Sequence, residues 1–245
     1  MGKTVVITGA GAGLGRALSR RFAADGETVI LLGRTLSKVQ ALAEELGAPH
    51  FAVECDVGQA DSVRAAFTEI AKHHPKIDAL INNAAVYEPF FVKDATDDQI
   101  LGSLAANLAG PIFTCRAAIP MMDRGATIIN VSSESVALEF PMLSLYMSTK
   151  AGAERFSQSL SRELEPKGIR VTVARAGPMY EEGKVPAPWN PEAAMQFMQL
   201  CTEAGIEMGK RPISNVVSVT DVFRALLDLP ADVRLTHVSI EGRHP

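Results

Sequence analysis

Thr8-Gly9-Ala10-Gly11-Ala12-Gly13-Leu14-Gly15 stands between a β-branched run, Lys3–Thr8, and a helical pattern that starts near Arg16. Glycines at such a junction let the backbone turn sharply and approach a pyrophosphate at the positive N-terminus of the next helix. The GxGxxG spacing is absent, and a TGxxxGxG pattern takes its place. The stretch predicts the first βα unit of a dinucleotide-binding fold.

The alternation of strand and helix patterns continues along the chain. The predicted strands are Lys3–Thr8, Thr28–Leu32, His50–Cys55, Ala79–Asn82, Ala126–Ser132, Arg170–Ala174 and Thr236–Ile240. The predicted helices are Arg16–Ala24, Leu36–Leu46, Asp61–His73, Asp97–Met122, Leu145–Glu165 and Thr220–Leu229. Such alternation is typical of right-handed βαβ units. We therefore expect one α/β domain over residues 1–245, a Rossmann-type doubly wound seven-stranded parallel sheet with helices on both faces.

Composition and charge exclude several classes of function. The chain has 245 residues, 47% of them hydrophobic, and a net charge of −4, so no basic field attracts nucleic acid or an anionic membrane. No apolar run reaches the ~20 residues of a membrane span, and Met1-Gly2-Lys3 leads directly into a strand pattern instead of a signal peptide. Cys55, Cys115 and Cys201 are widely spaced, as buried reduced thiols are, and the histidines lack metal-ligand spacing. We expect a cytoplasmic protein without a metal site.

The end of the second strand bears on the choice of cofactor. A ribose-binding acid is expected about 20 residues after the glycine turn, but Gly33-Arg34 stands there. A guanidinium can hold a 2′-phosphate through charge-assisted hydrogen bonds. Asp56-Val57 follows the third strand at the same edge, where we expect the aspartate to face the adenine. This pattern favours NADP(H) over NAD(H), although Arg34 also fits a solvent-facing residue at a strand end.

Residues 177–212 interrupt the regular alternation. The segment carries several prolines, Trp189 and a methionine-rich stretch that includes Met195, Met198 and Met208. A long insertion in a tightly wound domain is usually functional, and methionine and tryptophan are unfavourable in solvent. We expect a lid over a substrate site, with a plain surface loop as the alternative.

Several motifs occur together, in order, and each follows a predicted strand or lies in a predicted helix. They are the glycine turn, Asn82-Asn83-Ala84-Ala85, Asn107, Ser133 and Tyr146-Met147-Ser148-Thr149-Lys150. In this combination the chain resembles the short-chain dehydrogenase/reductase (SDR) family from Lys3 to about Gly177. The resemblance implies an oxidoreductase of the ketoreductase type that uses a nicotinamide cofactor.

The chemistry of the tyrosine–lysine pair can also be argued directly. Tyr146 and Lys150 are i and i+4 in a helical pattern, and Ser133 ends the preceding strand, so the three side chains can meet at one sheet edge. A nearby ammonium favours phenolate and is expected to lower the tyrosine pKa from its ordinary value of about 10. By the resemblance, Tyr146 is the general acid in reduction and the base in oxidation. Ser133 then orients the substrate oxygen, Lys150 holds the nicotinamide ribose, and Asn107 supports a proton-relaying water chain.

The resemblance also implies the cofactor contacts. They are Gly9, Gly11, Gly13, Leu14, Gly15, Arg34, Asp56, Val57, Asn83, Ala84, Ala85, Tyr146, Lys150, Gly177 and Met179. Three positions depart from the family pattern: Ala85 replaces a common glycine, Ala176 a proline, and Glu181 a threonine that meets the nicotinamide amide. A carboxylate at residue 181 would repel phosphate.

Two other functions remain open beside the reductase. One is a non-catalytic NADP(H)-binding sensor or scaffold, and the other is a sugar-nucleotide epimerase or dehydratase, whose relatives usually have a longer C-terminal part. For a reductase, the expected pocket residues are apolar or aromatic with few fixed charges, which favours a fairly apolar small-molecule carbonyl or alcohol. They are Tyr87, Ser135, Phe140, Met142, Met179 and Tyr180. By the resemblance, the two long helices pair across a two-fold axis in a homodimer or homotetramer.

Overall fold

A computed structural model of the chain describes residues 2–183 and 189–243. Its nine strands are β1 (Thr4–Thr8), β2 (Thr28–Gly33), β3 (Phe51–Glu54), β4 (Ala79–Asn82), β5 (Thr127–Ser133), β6 (Arg170–Ala176), β7 (Met179–Tyr180), β8 (Ser214–Asn215) and β9 (His237–Ile240). Its eight α-helices are α1 (Gly13–Ala24), α2 (Leu36–Leu46), α3 (Ala60–His73), α4 (Asp97–Leu104), α5 (Gly110–Ala118), α6 (Ser144–Leu164), α7 (Pro191–Glu203) and α8 (Val216–Leu227). Both counts refer to the residues just given.

The main sheet has seven parallel strands in the order β3-β2-β1-β4-β5-β6-β9. The order reverses between β1 and β4, and both strands end at the same carboxyl edge. In open α/β sheets a crevice forms at such a switch point, where ligands bind. The predicted fold class is confirmed, and the topology places the glycine turn after β1 beside this crevice.

The alternation of side chains along β1 explains why helices cover both faces. Val5 and Ile7 point to one side and pack in a core with α1, α2 and α8, whereas Val6 points to the other and packs with α3, α5 and α6. Each central strand is buried on both faces and is therefore almost continuously apolar. Because the central strands are packed on both faces, their carboxyl ends, which carry the site residues, are held in fixed positions.

The structure departs from the predicted elements at two places. The predicted helix Asp97–Met122 is divided into α4 and α5 by a π-helical segment, Ala105–Ala109. The lid segment, residues 177–212, contains the regular helix α7 and the first strand of the small β7–β8 pair. Residues 184–188 of this segment, and His244 and Pro245 of the tail, lie outside the described residues.

The three cysteines are free and buried, as predicted. In the described part of the chain, no helix is both long and apolar enough to cross a membrane.

Candidate active site

The turn after β1 has a backbone that requires glycine. Gly9 and Gly13 have φ angles of 66° and 55°, a backbone region that residues other than glycine rarely adopt. A Cβ on Gly15 would lie 2.3 Å from the carbonyl oxygen of Gly9. The start of α1 therefore packs directly on the turn.

Asn83 and Thr8 hold the turn against the end of β4. The Thr8 hydroxyl accepts the N–H groups of Asn83 and Ala84, both at 3.0 Å. The Asn83 side chain donates back to the carbonyls of Thr8 at 3.1 Å and Gly9 at 3.4 Å. The Asn83 amide therefore joins the loop after β4 to the glycine turn.

A first cleft of about 390 Å³ opens over the turn. Nine of the predicted cofactor residues line it: Gly9, Gly11, Leu14, Arg34, Asp56, Val57, Asn83, Ala84 and Ala85. Gly13 and Gly15 lie behind its wall, in α1. The wall has little side-chain bulk near the turn and two cations at one end, which suits a dinucleotide with an additional phosphate.

Lys38 is the second cation of this end and was not predicted. Arg34 and Lys38 both line the cleft, and Lys38 lies in the first turn of α2. Arg34 precedes the helix and Lys38 lies within it, so no regular spacing in the sequence indicated that the two cations meet. Asp56, by contrast, uses its Oδ1 to accept the N–H of Gly58 at 3.0 Å, within its own loop.

A second cleft of about 340 Å³ continues from the first. Leu14, Asn83 and Ala85 line both, so the two form one trough across the carboxyl edge. The second cleft contains the predicted residues Ser133, Tyr146, Lys150, Gly177 and Met179. A trough with this glycine turn and these cations fits an elongated nicotinamide dinucleotide.

Tyr146 is largely buried at the start of α6. Burial raises its pKa, a hydrogen bond with Ser133 opposes the rise, and the Glu134 carboxylate adds to it. The neighbouring Lys150 was expected to lower this pKa, and that expectation is wrong, because burial raises it. The reason is desolvation, which outweighs the hydrogen bond.

Lys150 is buried one helical turn further along α6, with its Nζ 5.9 Å from the Tyr146 ring centre. Its Nζ donates to the Val131 carbonyl at 2.9 Å. Burial lowers its pKa to about 8, while the nearby Glu154 carboxylate acts in the opposite direction. The structure brings Ser133, Tyr146 and Lys150 into one cleft, as predicted.

Asn107 lies in the π-helical segment and is buried. Its Oδ1 accepts the Val86 N–H at 2.8 Å, and its Nδ2 donates to the Val86 carbonyl at 2.9 Å and the Thr149 hydroxyl at 3.3 Å. Its side chain thus joins the loop after β4 to α6. The water chain expected from the resemblance remains a prediction.

The substrate end of the trough is part aromatic and part charged. Tyr87, Ser135, Phe140 and Met179 line it as predicted. Met142 instead packs in a buried cluster, and Tyr180 is 51% exposed, so the prediction is wrong for these two. Met142 has a φ of 60°, and the Tyr180 hydroxyl accepts a hydrogen bond from the Asn215 side chain at 3.2 Å.

An ion pair, Glu134–Arg211, also lines this cleft, where the sequence analysis expected few fixed charges. The Arg211 guanidinium lies 5.5 Å from the Phe140 ring centre. On the opposite side Tyr87 contacts the rings of Tyr146 and Trp189, each with a centre separation of 4.9 Å. Sequence reasoning missed the pair because its members are far apart in the chain.

Glu181 does not lie in the substrate cleft. Its Oε2 accepts the Gly13 N–H at 3.1 Å, and its Oε1 accepts Nε and Nη2 of Arg16 at 2.9 and 2.5 Å. The carboxylate that replaces the expected threonine therefore binds at the N-terminus of α1.

Comparison with known proteins adds to this geometry. The family model described as short chain dehydrogenase matches residues 3–186. A 3-oxoacyl-[acyl-carrier-protein] reductase of Mus musculus is 35% identical over 179 residues, which cover 72% of this chain and 75% of that protein. A 3beta-hydroxysteroid dehydrogenase of Mediterraneibacter gnavus is 33% identical over 172 residues, or 68% of this chain and 62% of its own length.

Solved structures of similar fold cover almost the whole chain. A short chain dehydrogenase of Burkholderia cenocepacia in complex with NADP has a TM-score of 0.82 and 26% identity, with 99% of this chain and 97% of that chain covered. A short-chain dehydrogenase of Streptomyces avermitilis has a TM-score of 0.83 at 24% identity and covers 98% of this chain and 88% of its own. The second likeness concerns the fold alone.

Proposed function

The chain belongs to the short-chain dehydrogenase family, and we propose that this oxidoreductase transfers a hydride between NADP(H) and a carbonyl or secondary alcohol of a fairly apolar small molecule. The observation that carries the proposal is the convergence of Ser133, Tyr146 and Lys150 in a cleft continuous with the glycine-lined trough. A carbonyl that accepts a hydride needs a proton donor within hydrogen-bond reach. In this proposal Tyr146 is that donor.

The residues that would hold the cofactor lie along the trough. Gly9, Gly11 and Leu14 would face the pyrophosphate, and Asn83, Ala84 and Ala85 the adjoining ribose. Gly177 and Met179 line the half that contains the tyrosine. Arg34 and Lys38 would bind a 2′-phosphate, which supports NADP(H) over NAD(H) because NAD(H) lacks that group. When bound, the reduced cofactor supplies the hydride.

Ser133 and Tyr146 act on the substrate oxygen in this proposal. The Tyr146 phenol donates the proton, and the Ser133 hydroxyl donates a second hydrogen bond that holds the oxygen beside it. Because burial raises the pKa of Tyr146, the phenol stays protonated near neutral pH, the state that a general acid requires.

Lys150 and Asn107 support this pair. Lys150 would hold the nicotinamide ribose and place a positive charge behind the phenol. Asn107 fixes the Val86 backbone and Thr149, and so sets the position of α6 relative to the loop after β4. The lid segment would close the substrate end, with Trp189 donating to the Tyr87 carbonyl at 2.9 Å.

The test is oxidation of NADPH, followed by absorbance, against a panel of ketones and aldehydes. We expect turnover with NADPH above that with NADH, and a loss of about 10²–10⁴-fold in Tyr146→Phe, as is typical for removal of a general acid. Binding of NADPH should remain within about twofold of the parent. Tight NADPH binding without turnover of any carbonyl would contradict the reductase and leave the sensor.

A further inference from the structure

The N-terminus of α1 is already bound by an anionic group of the chain itself. Glu181 is 168 residues from Gly13 in sequence, and its side chain is only 12% exposed. It accepts one backbone N–H from the turn and two guanidinium N–H groups from Arg16. These contacts satisfy both carboxylate oxygens at once.

A carboxylate in this position uses the same physical features that a phosphate would use. The first turn of a helix presents N–H groups without intrahelical partners and a partial positive charge. Arg16 adds a full positive charge beside them. Anions bind at such helix ends for these two reasons, and here the anion is Glu181.

The position adjoins the middle of the proposed cofactor trough, while Glu181 and Arg16 themselves line the surface depression beside α1. Leu14, which follows the bonded Gly13, lines both the first and the second cleft. A dinucleotide that spans both clefts must pass this point with its pyrophosphate. Glu181 would then place a third negative charge next to the two of the pyrophosphate.

We propose that Glu181 is an intramolecular competitor of the cofactor pyrophosphate and sets the affinity of this protein for NADP(H). This inference rests on the proposed function. In this proposal the pyrophosphate uses the end of α1 that the carboxylate now binds, so the carboxylate has to leave Gly13. Glu181 directly follows β7, which among the described residues pairs with β8 through Met179 and Tyr180 and is not part of the main sheet, so the residue can move without disruption of that sheet.

Replacement of Glu181 should destabilise the cofactor-free protein but strengthen the binding of the cofactor. Without cofactor, Glu181 stabilises the start of α1, so its replacement should lower the melting temperature. With cofactor, its replacement removes a repulsion, so the affinity should rise. A residue with a merely structural role would give the first effect without the second.

The variants are Glu181→Gln, which removes the charge and keeps the shape, and Glu181→Thr, which also removes the reach to Arg16. The control is Glu182→Gln, the same change of charge at the next residue, which is exposed and lines the same surface depression beside α1. Each purified protein, dialysed free of cofactor, is titrated with NADPH by calorimetry, and its melting temperature is measured with and without saturating NADPH.

We expect Glu181→Gln and Glu181→Thr to bind NADPH about tenfold more tightly than the parent, because one like charge has been removed at close range. Their cofactor-free melting temperatures should fall, and Glu182→Gln should change neither value. If the parent binds NADPH and both Glu181 variants bind it with the same or a weaker affinity, the inference is overturned and the proposed function stands. Absence of NADPH binding in all four proteins would overturn both.

Discussion

Arg34 determines the choice between the two nicotinamide cofactors in the proposed function, and a single substitution tests this role. Hydrogen bonds to charged groups contribute about 1.5–3 kcal/mol, and the exposed position of Arg34 places its effect near the lower end. In Arg34→Leu we expect the Kd for NADPH to rise about tenfold, while the Kd for NADH stays unchanged. Arg64→Leu, at an exposed arginine of α3, is the control. Equal losses for both cofactors would refute the 2′-phosphate role.

The buried Lys150 should make the free energy of unfolding depend on pH. Burial lowers its pKa from 10.5 in the unfolded chain to about 8 in the folded one. Between these values the unfolded chain binds more protons, so the contribution of this residue to stability rises with pH. Below the folded pKa its buried charge costs the fold about 3 kcal/mol by this shift.

The variant Lys150→Met removes this cost. We expect it to be more stable than the parent at pH 7, with a difference that shrinks toward pH 10.5, and to lose the proposed activity. Denaturant unfolding at several pH values measures the difference, and Lys167→Met at an exposed lysine should show none of it. A Lys150→Met protein that is less stable than the parent at pH 7 would show that the bond to Val131 outweighs the burial cost.

Residue-level prediction from the sequence succeeded where spacing alone fixes position. Tyr146 and Lys150 meet because they are i and i+4 in one helix, and Ser133 joins them because parallel strands end at one edge. The direction of the Tyr146 pKa shift could not be predicted, because it depends on burial by distant elements. For the same reason the partners of Glu181 were not foreseen, since no local pattern relates it to Gly13.

At the level of elements, the sequence predicted helices better than their interruptions. The apolar period over Asp97–Met122 indicates one helix, yet the structure inserts a π-helical turn at Ala105–Ala109. Such turns are frequent at functional sites, and this one buries Asn107 against Val86. The two hydrogen bonds to the Val86 backbone exist only in the tertiary structure, so periodicity could not reveal the turn.

The contact between the lid segment and the loop after β4 can be tested through its effect on substrate binding. Trp189 precedes α7 and contacts Tyr87, which in turn contacts Tyr146, so this aromatic series joins the lid segment to the catalytic helix. Aromatic pairs contribute about 0.5–1.5 kcal/mol beyond their buried area, so Trp189→Ala should raise KM for an apolar carbonyl about tenfold. The Kd for NADPH should be unaffected, because Trp189 does not line the first cleft.

Trp189→Phe is the matched variant for this test. It retains a ring against Tyr87 and lacks the N–H that donates to the Tyr87 carbonyl. Its KM should lie between those of the parent and Trp189→Ala in steady-state kinetics. If both variants keep the parent KM, the segment is a surface loop and does not cover the substrate.

At the level of the whole molecule, the parallel seven-stranded sheet could be predicted from the sequence, because each pair of consecutive predicted strands is separated by a helical pattern of suitable length. The charged wall of the substrate cleft did not follow, since Glu134 and Arg211 meet only after the lid segment folds back on the end of β5. The parts of the chain that regular elements position could therefore be predicted, and the contacts between the lid segment and the sheet could not.

The last prediction concerns assembly. Leu101 and Leu104, i and i+3 on α4, are 62% and 38% exposed, and Ile112 of α5 is 37% exposed. Apolar side chains grouped on helices that the family resemblance places at a two-fold axis are suited to burial against a second copy. We expect light scattering after size exclusion to give the mass of a homodimer or homotetramer. The double variant Leu101→Asp/Leu104→Asp should shift to a smaller assembly, because an interface cannot bury unpaired carboxylates. Val217→Asp, at a 65% exposed position of α8, should keep the parent mass. A monomeric parent would refute the pairing of these helices.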